Sequence, residues 1–253
     1  MTDRNIIKPT SFGPVLINRH DNVVGRVISE YGDWEADYIR MLGNLLDGIY
    51  PKGSRLTIID GGANIGMFTL GMAKLSNFVM EIHAIEPQRH VFQMLNANVA
   101  LNSLNHVWTY QNVLGETSGD TLMVAMPDPD VGANFGAFEV LSPAHNSDCD
   151  VTAFLRPEPI RSLALDDLHL EACALLKLDV EGMELAALNG AKRLLAQSHP
   201  MLFFERHKTD YEGVKALLGG FGYALLELPE RNVLGFPKAW QLSVDNFPRI
   251  DLG

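Results

Sequence analysis

The chain of 253 residues is 47% apolar and 20% charged, with a formal net charge of −11, an ordinary composition for a globular protein of one or two domains. The acidic balance argues against an electrostatic grip on nucleic acid or on an anionic membrane, and no apolar run has the length of a membrane span. Cys149 and Cys173 give neither a disulfide framework nor metal-ligand spacing, and Met1-Thr2-Asp3-Arg4-Asn5 lacks the apolar run of a signal peptide, so a cytoplasmic setting is expected.

In chain order, residues 1–30 alternate weakly, with Val15-Leu16-Ile17 and Val23 to Ile28 flanking Asn18-Arg19-His20-Asp21-Asn22; this reads as a β-hairpin with a polar turn. Over 33–49, Trp34, Ile39, Leu42, Leu45 and Leu46 have helical spacing, with Asp33 as N-cap and Pro51 and Gly53 as terminators. A core strand at 56–59 runs into Asp60-Gly61-Gly62-Ala63-Asn64-Ile65-Gly66 and then a helix at about 64–75. A second strand, Phe78 to Ile85, ends at Glu86-Pro87 and precedes a helix at about 88–101; Val107 to Leu114 is a third strand. Strands alternating with helices in this way predict a parallel sheet covered on both faces.

Glycines and prolines then recur from Gly115 to Pro159, leaving room for short strands at 121–126 and 136–141 but for no helix. Order resumes with Ser162 to Leu168, a strand from Ala174 to Leu178, a helix at about 183–196 and a strand from Met201 to Phe204. A helix from Tyr211 to Leu218 and a terminal hairpin of Tyr223 to Leu228 with Ala239 to Val244 complete the chain. The whole reads as a single domain, 1–253, in which residues 1–50 form a hairpin-and-helix cover and 115–160 an irregular insertion of the kind usually tied to function.

Asp60, Glu86, Asp179 and Glu205 each stand at or just beyond the end of a core strand. Ligands of open parallel sheets bind outside the carboxyl ends of the strands, so the four acids are expected on one rim. Gly61-x-Ala63-x-x-Gly66 nearly fits a dinucleotide fingerprint, with Glu86 in the ribose-binding range. A nicotinamide-dependent oxidoreductase is therefore one reading. Asp60, however, directly precedes the glycines, where a pyrophosphate would meet a negative charge; S-adenosylmethionine, a sulfonium with no phosphate, suits that position better.

Asp60-Gly61-Gly62-Ala63-Asn64-Ile65-Gly66 resembles the D-x-G-A-N-x-G motif of FkbM-type methyltransferases. Lys177-Leu178-Asp179-Val180-Glu181-Gly182-Met183-Glu184 is similar to that family's K-x-D-V-E-G-x-E block, and Leu188-Asn189-Gly190-Ala191 to its L-x-G-A continuation. Leu165-Asp166-Asp167-Leu168, Asn134-Phe135-Gly136 and the strand Pro200 to Glu205 fit in the same order, so the resemblance covers roughly 32–206. It implies the Rossmann-like, three-layer α/β fold of class I methyltransferases: a mostly parallel seven-stranded sheet with an antiparallel C-terminal hairpin. It also implies methyl transfer from S-adenosylmethionine, typically to a hydroxyl of a sugar or natural product. A non-catalytic protein that keeps the fold is a further alternative.

By position in the motifs, Asp60, Gly62, Asn64, Gly66, Glu86, Pro87 and Asp179 would hold the cofactor, with Asn112 near the adenine and Tyr31 and Glu35 closing over it. Asp179, Glu181, Glu205 and His207 are the candidate catalytic groups, because an alcohol needs a positioned base or a metal to attack at neutral pH. Asp179, Glu205 and His207 would be the ligands of a divalent ion such as Mg²⁺. Lys177 is expected to pair with Asp179 or Glu205, and the 115–160 insertion to shape the acceptor site. The acceptor is a small molecule or a glycan, and homo-oligomer formation is compatible with the terminal hairpins.

Overall fold

The computed structural model describes residues 4–126, 128–136 and 157–240. Its centre is a seven-stranded sheet built from β3 (Arg55–Gly61), β4 (Val79–Ile85), β5 (Val107–Tyr110), β9 (Leu175–Leu178), β10 (Met201–Glu205), β11 (Tyr223–Glu227) and β12 (Asn232–Pro237). The order across the sheet is β11-β12-β10-β9-β3-β4-β5; β5, β4, β3, β9 and β10 are mutually parallel, and β12 is antiparallel to both β10 and β11. Near-continuous apolar runs such as Leu175-Leu176 and Ile58-Ile59, all buried, are what strands covered on both faces require. Chain order reverses between β3 and β9, so the switch-point crevice opens where Gly61 and Leu178 end side by side.

Helices cover both faces. On one, α2 (Ala36–Ile49) and α3 (Met67–Ala73) bury Ile39, Leu42, Leu46 and Met72 against Ile58 and Ile82. On the other, α5 (Glu184–Asn189), α6 (Lys192–Ser198) and α7 (Tyr211–Gly220) pack Leu188, Leu195, Val214 and Leu218 on Ile59, Leu176 and Phe204. α4 (Arg89–Leu101) carries a third apolar cluster beneath an N-terminal hairpin, β1 (Asn5–Thr10) with β2 (Gly13–Asn18). Asn98 pins that hairpin to the body: it accepts from the Leu16 N–H at 2.6 Å and donates to the Ile65 carbonyl at 2.8 Å. A second, three-stranded sheet of β6 (Val113–Leu114), β7 (Thr121–Val124) and β8 (Glu158–Leu163) lies beyond β5, in the order β6-β8-β7.

Several expected boundaries move. The N-terminal hairpin exists, but it turns at Ser11-Phe12, not at 18–22, and residues 24–31 form a helix, α1 (Val24–Tyr31). The buried Asp21 drives this change: its carboxylate accepts from the Val23 and Gly25 N–H groups, both at 3.0 Å, satisfying donors at the helix start. Asp33 does not cap α2; it accepts from the Ser11 N–H and hydroxyl, and Glu35 occupies the N-cap in a left-handed conformation. The third strand breaks at Gln111-Asn112 into β5 and β6, which belong to different sheets. The helix expected at 183–196 splits at Gly190-Ala191 into α5 and α6. The second strand of the C-terminal hairpin is β12, at 232–237, reached from β11 through the short Leu228–Arg231 turn; of the expected 239–244, residues 239–240 belong to a 3-10 turn and 241–244 lie outside the described residues. The strand expected at 136–141 lies outside the described residues.

Candidate active site

The turn after β3 is shaped by backbone crowding. Gly62 has φ +72°, and a Cβ there would collide with the Asp179 carbonyl, so glycine lets the turns after β3 and β9 touch. Asn64 is also left-handed (φ +50°) and donates its N–H to Glu86 Oε2 at 3.0 Å. Gly66 starts α3, and its missing side chain makes room for Leu95 of α4; it faces the core and not a cleft.

Two cavities meet over this turn, sharing Gly62, Gly136, Asp179 and Glu181 as walls. The narrower one, of about 40 Å³, has Glu86 on one side and Ile85, Val113, Leu114, Val124 and Met183 around it, with Pro87, Gln88 and Asn112 at its edge. Each Glu86 oxygen takes one backbone N–H, from Asn64 and from Gln88, which leaves further lone pairs for a ligand's hydroxyls. Burial pushes the Glu86 carboxyl up to about 7, against those two N–H groups. The Asn112 side chain donates to the Arg161 carbonyl at 3.0 Å, joining β6 to β8 at the rim.

The wider cavity, of about 240 Å³, is lined by Glu35, Lys177, Asp179, Glu181, Glu205 and Glu230, with Trp34, Met67 and Phe68 as its apolar wall. Burial raises the Glu35 carboxyl to about 7, with Asp179 and Asp60 adding to the rise and Lys177 opposing it. Glu205 also rises to about 7, by burial first and then by the charges of Asp179 and Glu181. Glu181 pairs with Lys208 at 2.6 Å. Glu35, Asn64, Glu181 and Glu230 all carry left-handed backbone and all line this cavity, and such conformations concentrate at functional sites.

Asp60 is placed differently from expectation. It is fully buried beneath the turn and lines neither cavity; Thr69 donates to it at 2.6 Å, and Lys177 Nζ lies 3.1 Å away. Lys177 is the group that reaches the wider cavity. It donates to the Gly62 carbonyl at 2.9 Å, lies 4.0 Å from Asp179 and pairs with Asp60, not with Glu205. Burial depresses its ammonium, but Asp60, Asp179 and Glu35 outweigh burial, so the net shift is upward and it stays charged. Asp60 thus acts through Lys177, fixing the cation under the turn.

Two other expected residues stand apart. Tyr31 ends α1, is 77% exposed and lines neither cavity. His207 is exposed and accepts from Arg231 Nη1 at 2.9 Å through Nδ1. The expected set Asp179, Glu205 and His207 does not assemble, and among the described residues no three His, Cys, Asp or Glu side chains are grouped to hold a metal ion.

Trp34, Phe68, Gln88, Glu230 and Asn232 line the cavities without having stood out in the sequence. Glu230 lies in the β11–β12 turn and Asn232 opens β12, where the antiparallel pairing of β12 with β10 sets it opposite Glu205. Glu184, the last acid of the Lys177–Glu184 block, is buried and accepts from the Val180 N–H at 3.0 Å, holding the Asp179–Met183 turn closed. Asp166 caps α6 by accepting from the Arg193 and Leu194 N–H groups at 2.7 and 2.9 Å. Gly190 lets the Gly115 carbonyl pass where a Cβ would collide. The segments 165–168 and 188–191 are thus a structural joint behind the site.

The family model described as methyltransferase FkbM domain matches residues 60–232, and no curated protein matches the chain. Among solved structures, methyltransferase FkbM from Methylobacillus flagellatus KT is 21% identical with a TM-score of 0.51; the match covers 75% of this chain and 45% of that one, so the chain spans less than half of that protein's length. Precorrin-6y C5,15-methyltransferase from Geobacter metallireducens GS-15 is 14% identical with a TM-score of 0.45, over 79% of this chain and 85% of that one. TYW2 from M. jannaschii, in a complex with AdoMet, is 12% identical with a TM-score of 0.47, over 93% and 84% of the two chains.

Proposed function

The chain belongs to the FkbM methyltransferase domain family, and from that premise we propose that it transfers the methyl group of S-adenosylmethionine to a hydroxyl of a sugar or natural product. The observation that carries this reading is the pair of cavities meeting at Gly62 and Asp179, one small and apolar beside Glu86, the other acidic. The residues present fit the cofactor. Glu86 has lone pairs to spare for ribose hydroxyls, and Ile85, Val113, Leu114 and Met183 form a slot suited to a flat base. The acidic cavity suits a cationic methionine end. When bound, S-adenosylmethionine supplies a methyl group on a positively charged sulfur.

The protein's own groups then divide the work. Glu86, Pro87, Asn112 and the Gly62–Asn64 backbone hold the nucleoside end. Lys177, locked by Asp60, is placed to attract the carboxylate of the methionine tail and keeps the turn backbone in place. Glu205 would act as the base, taking the proton of the acceptor hydroxyl as its oxygen receives the methyl group that the bound cofactor would supply. A carboxylate raised to about 7 is matched to that task near neutral pH. Asp179 and Glu181 sustain that raised value, while Trp34 and the Asn134–Gly136 segment of the insertion wall the acceptor. His207 is assigned no direct part.

Calorimetry with S-adenosylhomocysteine and with NAD tests the reading directly. We expect binding of the former and none of the latter, and NAD binding alone would replace the methyltransferase by an oxidoreductase. Formation of S-adenosylhomocysteine from S-adenosylmethionine in a pooled glycan and metabolite extract separates an enzyme from a non-catalytic relative.

A further inference from the structure

Gln88 carries one hydrogen-bonding atom that finds no partner among the described residues. The residue is 4% exposed, at the start of α4, and its backbone N–H donates to Glu86 Oε1 at 2.8 Å. Its side-chain Nε2 donates to the Phe135 carbonyl at 2.7 Å. That carbonyl fixes which way the amide points, because the reverse orientation would set oxygen against oxygen. Oε1 is then turned away from Phe135; it has no partner among the described residues, and the residue lines the narrower cavity. A buried amide oxygen is costly to leave unpaired.

The other end of the amide holds a different wall. Phe135 is buried in the apolar cluster under the N-terminal hairpin, while its neighbours Asn134 and Gly136 line the wider cavity, and Gly136 both cavities. The segment is also tied to the N-terminal region, by the Asn22 N–H to the Ala133 carbonyl at 2.8 Å and the Asn18 side chain to the Pro129 carbonyl at 2.9 Å. Gln88 alone among these tethers also lines the narrower cavity.

We propose that Gln88 is a positioning residue coupling the two cavities: its Oε1 accepts a hydrogen bond from the adenosine portion of the cofactor, and its Nε2 thereby holds the Asn134–Gly136 wall in place for the acceptor. Cofactor binding precedes acceptor binding and builds part of the acceptor site. This rests on the methyltransferase reading, and the two fail separately.

The test is amide hydrogen exchange over residues 128–136, with and without S-adenosylhomocysteine, beside calorimetry with the same compound. In the wild type, saturation with S-adenosylhomocysteine slows exchange of this segment by at least about fivefold. Gln88→Leu loses that gain and binds S-adenosylhomocysteine about 2- to 10-fold more weakly, the range of one hydrogen bond. Gln88→Glu keeps the acceptor oxygen and loses the Phe135 donor, so it binds within about threefold of wild type while the exchange gain disappears. If Gln88→Leu does not fold, judged by its thermal melt, the Glu variant decides. Wild type that binds without slowing exchange at 128–136, or a Leu or Glu variant that keeps the full gain, overturns the coupling. Failure of the wild type to bind S-adenosylhomocysteine overturns the methyltransferase reading instead.

Discussion

At the scale of single residues, the acids of the wider cavity are set apart by their partners. Glu181 is paired with Lys208, and Asp60 and Asp179 share Lys177. Glu205 has burial and two like charges pushing its proton affinity up to about 7. A base must be ionised to accept a proton, so turnover is expected to rise with pH through about 7 and to level above it. Glu205→Gln should lower turnover by about 10²- to 10⁴-fold, leave S-adenosylhomocysteine affinity within about threefold of wild type and abolish that rising limb. A surviving limb in the Gln variant would move the role to Glu35, which also rises to about 7 and shares the cavity. Glu86, Asn64 and Asp179 were legible from their places after strands, because strand ends of a parallel sheet converge on one rim. Asp60 was legible as a strand-end acid but its burial away from both cavities was not: a sequence shows that an acid ends a strand, but not which way its side chain points. Trp34 and Glu230 left no comparable signal, since each reaches the cavity from a cover element whose docking is fixed only by tertiary packing.

At the scale of elements, α1 depends on one side chain. Asp21 takes two helix-start N–H groups and sits where residue 21 bridges Ala133 in the insertion; Val24 of the same helix lines the wider cavity. Asp21→Ala should therefore cost about 1–2 kcal/mol of stability, or roughly 2–8 °C in melting temperature for a chain of this size. It should also loosen the Val23–Val24 wall, so that activity falls before unfolding begins. A melt and an activity–temperature curve on the same variant check both, and an unchanged melt would show that the helix stands without this cap. The parallel core strands and α2 could be read from apolar runs and from 3.6-residue spacing because burial on two faces, or along one stripe, leaves that imprint. α1 could not, because eight residues give barely two turns of pattern and a short apolar run fits helix and strand alike. The break of the expected 183–196 helix at Gly190 was hidden for a different reason: it answers to the close passage of the Gly115 carbonyl, a contact between segments distant in sequence.

At the scale of the whole molecule, the site imposes its electrostatics on stability. Glu35, Glu86, Glu184 and Glu205 all rise from the ordinary 4.5 to about 7, with burial as the first cause in each. A carboxyl whose folded value exceeds its unfolded value binds its proton more tightly when folded. Its favourable contribution is complete below about 4.5 and is lost as pH rises through about 7. Glu158 runs the other way, lowered by Arg89, but its contribution is already complete above the unfolded value and does not change between pH 6 and 8. Lys177, shifted upward, titrates far above this window. His90, lowered chiefly by burial, runs the other way in this window and offsets part of the effect. The ligand-free protein should still lose thermal stability from pH 6 to pH 8, on the order of 5 °C for a loss of a few kcal/mol, most steeply below pH 7 and levelling above it. The same acids select between ligands. S-adenosylmethionine carries a sulfonium charge that S-adenosylhomocysteine lacks, and a cation bound beside Glu35 and Glu205 is held more tightly as those two carboxyls deprotonate. A ligand stabilises the fold according to its affinity for the folded form, so the stabilisation by S-adenosylmethionine over S-adenosylhomocysteine should grow from pH 6 to pH 8. Melting curves at matched ligand concentrations measure that difference. A gap that stays constant with pH would place the sulfonium away from the acidic cavity, and with it the reacting methyl group.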